Sequence, residues 1–162
     1  MTDVQARLEK LSETKAKVLA RVHALAPDKV GSAPDRHSFS PAELIDHLAK
    51  TEEWYVEQIA ESHVGDAATP SHRWLYRMVL TQLRKAKKMK VVPSMFIPSE
   101  HVALDQAEKH WEGAHAMFRQ ALWECSTDQV VYHHKLFGNM SAGMILDMME
   151  AHHHYHDVHF PA

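Results

Sequence analysis

An all-α fold, a four-helix bundle with a long irregular or short-helical connection between its second and third helices, is what the sequence predicts. Four long stretches carry apolar residues at helical spacing, none of the chain alternates convincingly in the manner of a strand, and five glycines and seven prolines in 162 residues are too few for an all-β chain with many tight turns.

The first helix spans about 3–25, with Val4, Leu8, Leu11, Val18, Val22 and Leu25 in helical register and Lys15 as the one polar member of that series. Thr2 and Gln5 have the spacing of a capping box, and Pro27 ends the run. Residues 28–39, with Gly31 and Pro34, read as a connection. The second helix has the clearest start: Ser40 as N-cap, Pro41 at the first helical position and Glu43 closing a capping box. Its inward stripe is Leu44, His47, Leu48, Thr51, Tyr55 and Ile59, with Gly65 marking the end and Pro70 stopping any continuation. A shorter helix follows Ser71 within residues 71–90, carrying Trp74, Leu75, Met78 and Leu83, before Pro93 and Pro98 impose an irregular segment. Ser99 and Glu100 are expected to cap the third long helix, with Leu104, Ala107, Trp111, Ala114, Phe118, Leu122 and Cys125 on one face. Residues 126–140 connect to the last helix, which begins near Ser141 and runs Met144, Ile145, Met148, Met149, His152, His156 down one side.

Composition narrows the class further. The length suits one domain, residues 1–162, with a single core, and 45% hydrophobic against 24% charged residues excludes a disordered or collagen-like chain. A net charge of -3 offers no reason to expect nucleic-acid binding, and partial protonation of 15 histidines brings the charge through zero in mildly acidic buffer, where solubility should be lowest. The single cysteine, Cys125, has no internal disulfide partner and reads as a buried thiol. The polar N-terminus lacks the apolar stretch of a secretory signal, and no apolar run approaches the ~18 residues of a membrane span, so a cytoplasmic protein is expected.

The chemistry lies in the histidines. His152 and His156 stand four apart, on successive turns of one helix face, the face that also holds Ile145, Met148 and Met149. His47 lies on the inward stripe of the second helix. Three inward imidazoles from two helices can meet on one ion, and three protein ligands leave a coordination position open for water or substrate, as in catalytic sites. Imidazole suits Zn, Ni, Cu or Fe. Against this stand two plainer readings: a histidine alone on an apolar stripe is commonly a hydrogen-bonded core residue, and a four-spaced pair in so histidine-rich a chain can arise from composition.

The segment from Phe39 through Ser40, Pro41, Glu43 and Asp46 to His47 and Leu48 resembles the second-helix signature of the DinB-like (YfiT-like) metalloenzyme superfamily. The stretch His134 to Ser141, with its Phe137-Gly138 turn, followed by His152-x-x-x-His156, resembles that family's capped last helix and histidine pair. The likeness extends over the whole chain in length and helix order, while these two segments carry the specific motifs. It implies an up-down-down-up bundle holding one divalent metal, with His47, His152 and His156 as ligands by position and Zn or Ni favoured over Fe or Mn. It further implies a metal-dependent enzyme, a thiol-dependent transferase using bacillithiol, mycothiol or a glutathione-like cofactor on a small-molecule substrate. A metal-dependent hydrolase, a non-catalytic metal-binding bundle of stress response and a plain helical dimer without metal are the alternatives.

The chain departs from the family pattern in two places. His153 and His154 stand between the paired histidines, and His159 stands where a glutamine is common; His153 or His159 is an alternative ligand or proton shuttle, although a solvent-facing position is the simpler reading for His153 and His154. Glu43 is first a cap, and secondarily a hydrogen-bond partner for a ligand imidazole. A basic run from Arg73 and Arg77 through Arg84, Lys85, Lys87 and Lys88 to Lys90 could steer an anionic substrate to the bundle mouth, with a solvated face as the simpler reading. Trp74 and Tyr76 within it are weak grounds for a nucleic-acid surface. Trp54, two turns from His47, is a candidate pocket residue, while Trp111 and Trp123 read as core or rim. His133 and His134 lie in a loop able to close over the metal, with no assigned role. Apolar helix faces of this kind commonly pair, so a homodimer is expected, with neither membrane nor nucleic acid as partner.

Overall fold

The computed structural model describes residues 1–35, 38–62, 72–88 and 92–160. Within them the chain is mostly helical: α1 (Asp3–His23), a single turn α2 (Pro27–Val30), α3 (Pro41–Glu61), α4 (Arg73–Arg84), a 3-10 turn (Ser94–Phe96), α5 (Leu104–Leu122), strands β1 (Val130–His134) and β2 (Gly138–Ser141), and α6 (Ala142–Val158). Gly65, Pro70, Ser71 and Lys90 lie outside the described residues. No described helix is long and apolar enough to cross a membrane.

Side-chain caps fix three of the helix starts. Thr2 with Gln5, and Ser40 with Glu43, form reciprocal capping boxes, and the Ser141 hydroxyl accepts the Met144 N–H. Each satisfies amides that have no partner inside the helix. Replacing Ser40, which is buried, with alanine should cost about 1 kcal/mol, read from a chemical-denaturation midpoint.

Three expectations need correction. The third long helix does not start at Ser99-Glu100: the Ser99 amide donates to Asp46 Oδ2 at 2.8 Å, His101 takes a left-handed φ of 53° that interrupts any helix, and α5 begins at Leu104 after an N-cap, Ala103, with no side-chain cap. That helix also ends at Leu122, so Cys125 lies beyond it, buried as expected, its amide bonded to Leu122 O. Residues 126–140 are more than a connection, because β1 and β2 pair antiparallel with a register irregularity between Val130 and Tyr132. Gly138, at φ 76°, turns the chain into β2 after Lys135, Leu136 and Phe137.

The hairpin leads directly into α6. The Ala142 amide donates to Gln129 O and the Gly143 amide to Thr127 O, each at 2.9 Å. A Cβ at Gly143 would stand 2.6 Å from Thr127 Cγ2 and 3.0 Å from Thr127 O. Gly143→Ala is therefore expected to lose roughly 1–3 kcal/mol through overpacking, measured by denaturant unfolding.

α4 closes on a Schellman turn: Ala86 N–H donates to Leu83 O and Lys87 N–H to Gln82 O, with Ala86 at φ 47° where glycine is usual. Ala86→Gly should raise stability by up to about 1 kcal/mol, the relief of left-handed strain exceeding the added freedom of the unfolded chain.

Two apolar clusters fill the interior. One gathers Leu8, Leu11, Tyr55, Phe118, Tyr132, Met140, Ile145 and Met149; the other gathers Val18, Val22, Ile45, Leu48, Ala49, Trp111 and Ala114. Along α1, α3 and α5 the residues between those sets are Lys15, Glu52 and His115, each buried, and α6 adds buried His153. A polar layer thus crosses the interior.

Candidate metal centre and its pocket

His47 reaches from α3 and the His152/His156 pair from α6. The Nε2 atoms lie 3.1 Å apart for His47 and His152, 3.1 Å for His47 and His156, and 2.9 Å for His152 and His156. One helical turn separates the last two, which is why both rings present the same face. Among the described residues these three form the group of potential ligands whose donor atoms lie within 4.8 Å of one another.

The tautomer of His47 follows from its other nitrogen. Nδ1–H donates to the Phe96 carbonyl at 2.6 Å, which leaves Nε2 as a lone pair facing the other two rings. Phe96 is held there by the residues of α3 on either side of His47: Asp46 accepts the Ser99 amide, while Lys50 Nζ donates to Ile97 O at 2.9 Å and Ser99 Oγ at 3.2 Å. His110 binds the other Asp46 oxygen at 2.8 Å. A sequence stretch without regular structure is so fastened beside the ligand it orients.

Burial, and after it the mutual repulsion of the imidazolium charges, holds His152 and His156 well below the ordinary histidine range. His47 is lowered too, by burial first, against the pull of the Phe96 carbonyl. Three neutral imidazoles therefore converge nitrogen to nitrogen. A proton can bridge them only in pairs, whereas a divalent cation would receive all three lone pairs, and donors ~2.0–2.1 Å from a common centre stand about 3 Å apart. A set of three imidazoles suits Zn, Cu, Fe or Ni alike.

The three rings line a cavity of about 520 Å³ whose wall is otherwise largely aromatic and aliphatic, including Phe39, Trp54, Tyr55, Phe96, Phe137 and Tyr155. No aspartate, glutamate or cysteine lines it among the described residues. A second depression, of about 590 Å³, runs between α1 and α5. It is more open, and its ionisable side chains are engaged: Lys15 with Glu112, Arg119 with Glu9, and His115 Nε2 with Ser12 Oγ at 2.9 Å. The enclosed cavity bearing the imidazoles is the stronger candidate site.

The remaining sequence candidates distribute as follows. Glu43 serves its cap, its Oε2 accepting the Ser40 amide at 2.8 Å. His154 is exposed, but His153 is not solvent-facing: it is 3% exposed, because the residue after His152 on α6 turns inward toward α5, where its ring meets Trp111 edge-on at 5.9 Å. His159 is exposed and donates from Nε2 to Ala86 O at 2.7 Å, joining α6 to the end of α4 at the cavity rim. Trp54 lines the cavity as its position suggested. The basic run does not converge on the mouth: Arg73 packs on Met144 Sδ, Arg77 is exposed, and of the described cations only Lys88 lines the cavity, 3.8 Å from Asp35 Oδ2. Helical spacing sends successive members of such a run to different faces.

Sequence reasoning passed over the polar layer. Glu52, wholly buried, accepts from Trp111 Nε1 at 3.1 Å on Oε1 and from His115 Nδ1 at 2.9 Å on Oε2, and His153 Nε2 lies 3.6 Å from Oε1, an ion-pair distance longer than a hydrogen bond. Burial alone would raise this carboxyl, but the His115 bond and the neighbouring His153 outweigh it and draw the pKa down to about 2. The signal was present in the spacing: Glu52 stands one turn past Leu48, and His115 one turn past Trp111, both on apolar stripes.

Compared with known families, the chain matches the description of the DinB superfamily over residues 7–158. No curated protein and no solved structure matches it.

Proposed function

The chain belongs to the DinB superfamily, and from that membership together with its three convergent imidazoles we propose that it is a divalent-metal-dependent enzyme, a thiol-dependent S-transferase, with His47, His152 and His156 as the metal ligands. The observation that carries the reading is that the three residues whose Nε2 atoms converge all line one cavity of about 520 Å³. Structural metal sites are closed by four protein ligands, whereas a three-ligand site bordering a cavity keeps a position for a reactant.

When bound, zinc or nickel, with iron or manganese as alternatives, supplies Lewis acidity that favours the deprotonated form of a thiol or water. The chain's own groups do the rest. The Phe96 carbonyl holds His47 in the tautomer that presents Nε2, the helical turn between His152 and His156 aligns the other two donors, and the aromatic wall keeps bulk water from the reacting groups. The cavity offers no carboxylate and no cysteine nucleophile among its described residues, so the nucleophile comes from outside the chain, and the superfamily favours a low-molecular-weight thiol for it.

The same reading takes residues 1–162 as one domain in which α1, α3, α5 and α6 form an up-down-down-up four-helix bundle, acting in the cytoplasm as a homodimer on a small molecule. The test is a conjugation assay: zinc- or nickel-loaded protein, glutathione or bacillithiol, and a fluorogenic bimane electrophile. A thiol-dependent rate above background that disappears in His47→Ala is expected. Thiol-independent cleavage of an ester probe would transfer the site to the hydrolases, and stoichiometric metal with neither activity would make the protein a metal-binding bundle.

A further inference from the structure

The hairpin sends one histidine into the cavity, and its chemistry is set by the backbone around it. His134 Nδ1 accepts two amides, Leu136 N–H and Phe137 N–H, each at 3.1 Å. An imidazole accepting at Nδ1 carries its proton on Nε2, so the ring presents a hydrogen-bond donor. No described residue takes that donor, and the ring lines the cavity. Burial, and after it the neighbouring His133, lowers its pKa, which keeps the ring neutral at neutral pH.

His134 also belongs to a continuous aromatic wall. It stacks on Phe137 with centroids 4.2 Å apart and planes 13° from parallel, and meets Trp54 edge-on at 6.1 Å. Trp54 meets Phe96 at 5.6 Å, and Phe96 meets His47 at 6.4 Å. Ring surfaces thus extend from the three-imidazole cluster to the hairpin donor. With no described carboxylate in the lining and Lys88 as its one ammonium group, a cationic guest would meet ring faces but no counter-charge. Its volume of about 520 Å³ suits a small planar compound.

We infer that the cavity takes a planar aromatic substrate, uncharged or anionic, with its rings against Trp54 and Phe96 and an acceptor oxygen on the Nε2–H of His134. His134 is then a specificity-determining residue that orients the substrate relative to the imidazole cluster. As a statement about the substrate of a reaction, this rests on the function proposed above; as a statement about binding, it is tested without any metal.

Equilibrium dialysis of the full chain, metal-free and zinc-loaded, with 2-acetylnaphthalene, 2-ethylnaphthalene and decan-2-one separates the contributions. The acetyl compound should bind about three- to tenfold tighter than its ethyl counterpart, the value of one neutral hydrogen bond. His134→Asn retains an acceptor for the two loop amides but lacks the reach of Nε2–H; it should bring the two naphthalenes to equal affinity while leaving the ethyl compound within about twofold of wild type. Trp54→Leu should weaken both naphthalenes and leave decan-2-one unchanged. Equal binding of the two naphthalenes by wild type, or an acetyl preference that survives in His134→Asn, would overturn the assignment of the donor, and decan-2-one binding as tightly as 2-acetylnaphthalene would overturn the aromatic class. Failure to bind zinc would remove the proposed reaction, and the affinity ratio in the metal-free protein would still decide the inference about the cavity.

Discussion

His47→Ala should leave a folded protein that no longer retains metal. Elemental analysis of untagged wild type, loaded with zinc or nickel and dialysed, is expected to give one equivalent per chain. The variant, and the double variant His152→Ala/His156→Ala, should give a small fraction of that. Removing even the outer partners of metal ligands weakens binding about 10–100-fold, and removal of one of only three ligands should exceed this. His154→Ala supplies the control, because His154 is an exposed neighbour on the same helix and should retain wild-type stoichiometry. Equal metal in wild type and His47→Ala would end the three-histidine assignment.

The second large effect concerns stability. Glu52 is a buried carboxylate whose neighbours supply donors on both oxygens, so Glu52→Ala would leave His115 Nδ1–H and Trp111 Nε1–H without acceptors deep in the interior. Losing one partner of a buried ionic group costs about 3–5 kcal/mol, and in a domain of this size the melting temperature should fall by about 10 °C or more. The pH dependence has a definite sign. A carboxyl with a folded-state pKa of about 2, depressed from its ordinary 4.5, contributes stability that is fully present above about pH 4.5 and lost as pH falls toward 2. Glu52→Gln, of nearly the same shape, should melt lower at neutral pH and lose part of that acid sensitivity. A Glu52→Gln protein with the wild-type melting profile from pH 7 to pH 2 would show that the carboxylate charge contributes nothing.

The parts of this fold that could be read in the sequence are those encoded within a few residues. Ser40 and Glu43 specify a helix start by themselves, and an i, i+4 spacing places His152 and His156 together without knowledge of anything else. His47 required the further step of treating a polar residue on an apolar stripe as inward. The same step applied to Glu52 and His115 finds the polar layer; Lys15 stands out as an exception on its stripe, and its partner Glu112 is contributed from a distant helix. The hairpin escaped because neither strand alternates cleanly: β1 reads Val130, Val131, Tyr132, His133, His134, and its pairing is set by Gly138 and by partners across the turn. The start of α5 escaped because Ser99 resembles a cap in sequence, while its amide is taken by Asp46, a contact that no local pattern reports.

His152 and His153 are adjacent in α6, yet one ring turns to His47 and the next toward Glu52, and both of those partners belong to α3. A single contact between two rods permits one to swivel about it; a second at a different height and in a different direction, here the 3.6 Å approach of the buried His153 ring to Glu52, narrows that swing. Imidazoles gathered around an ion would therefore tighten helices whose approach is already limited one residue away. The Phe96 segment is fastened to the same helix, so the wall on the α3 side of the cavity belongs to that frame as well.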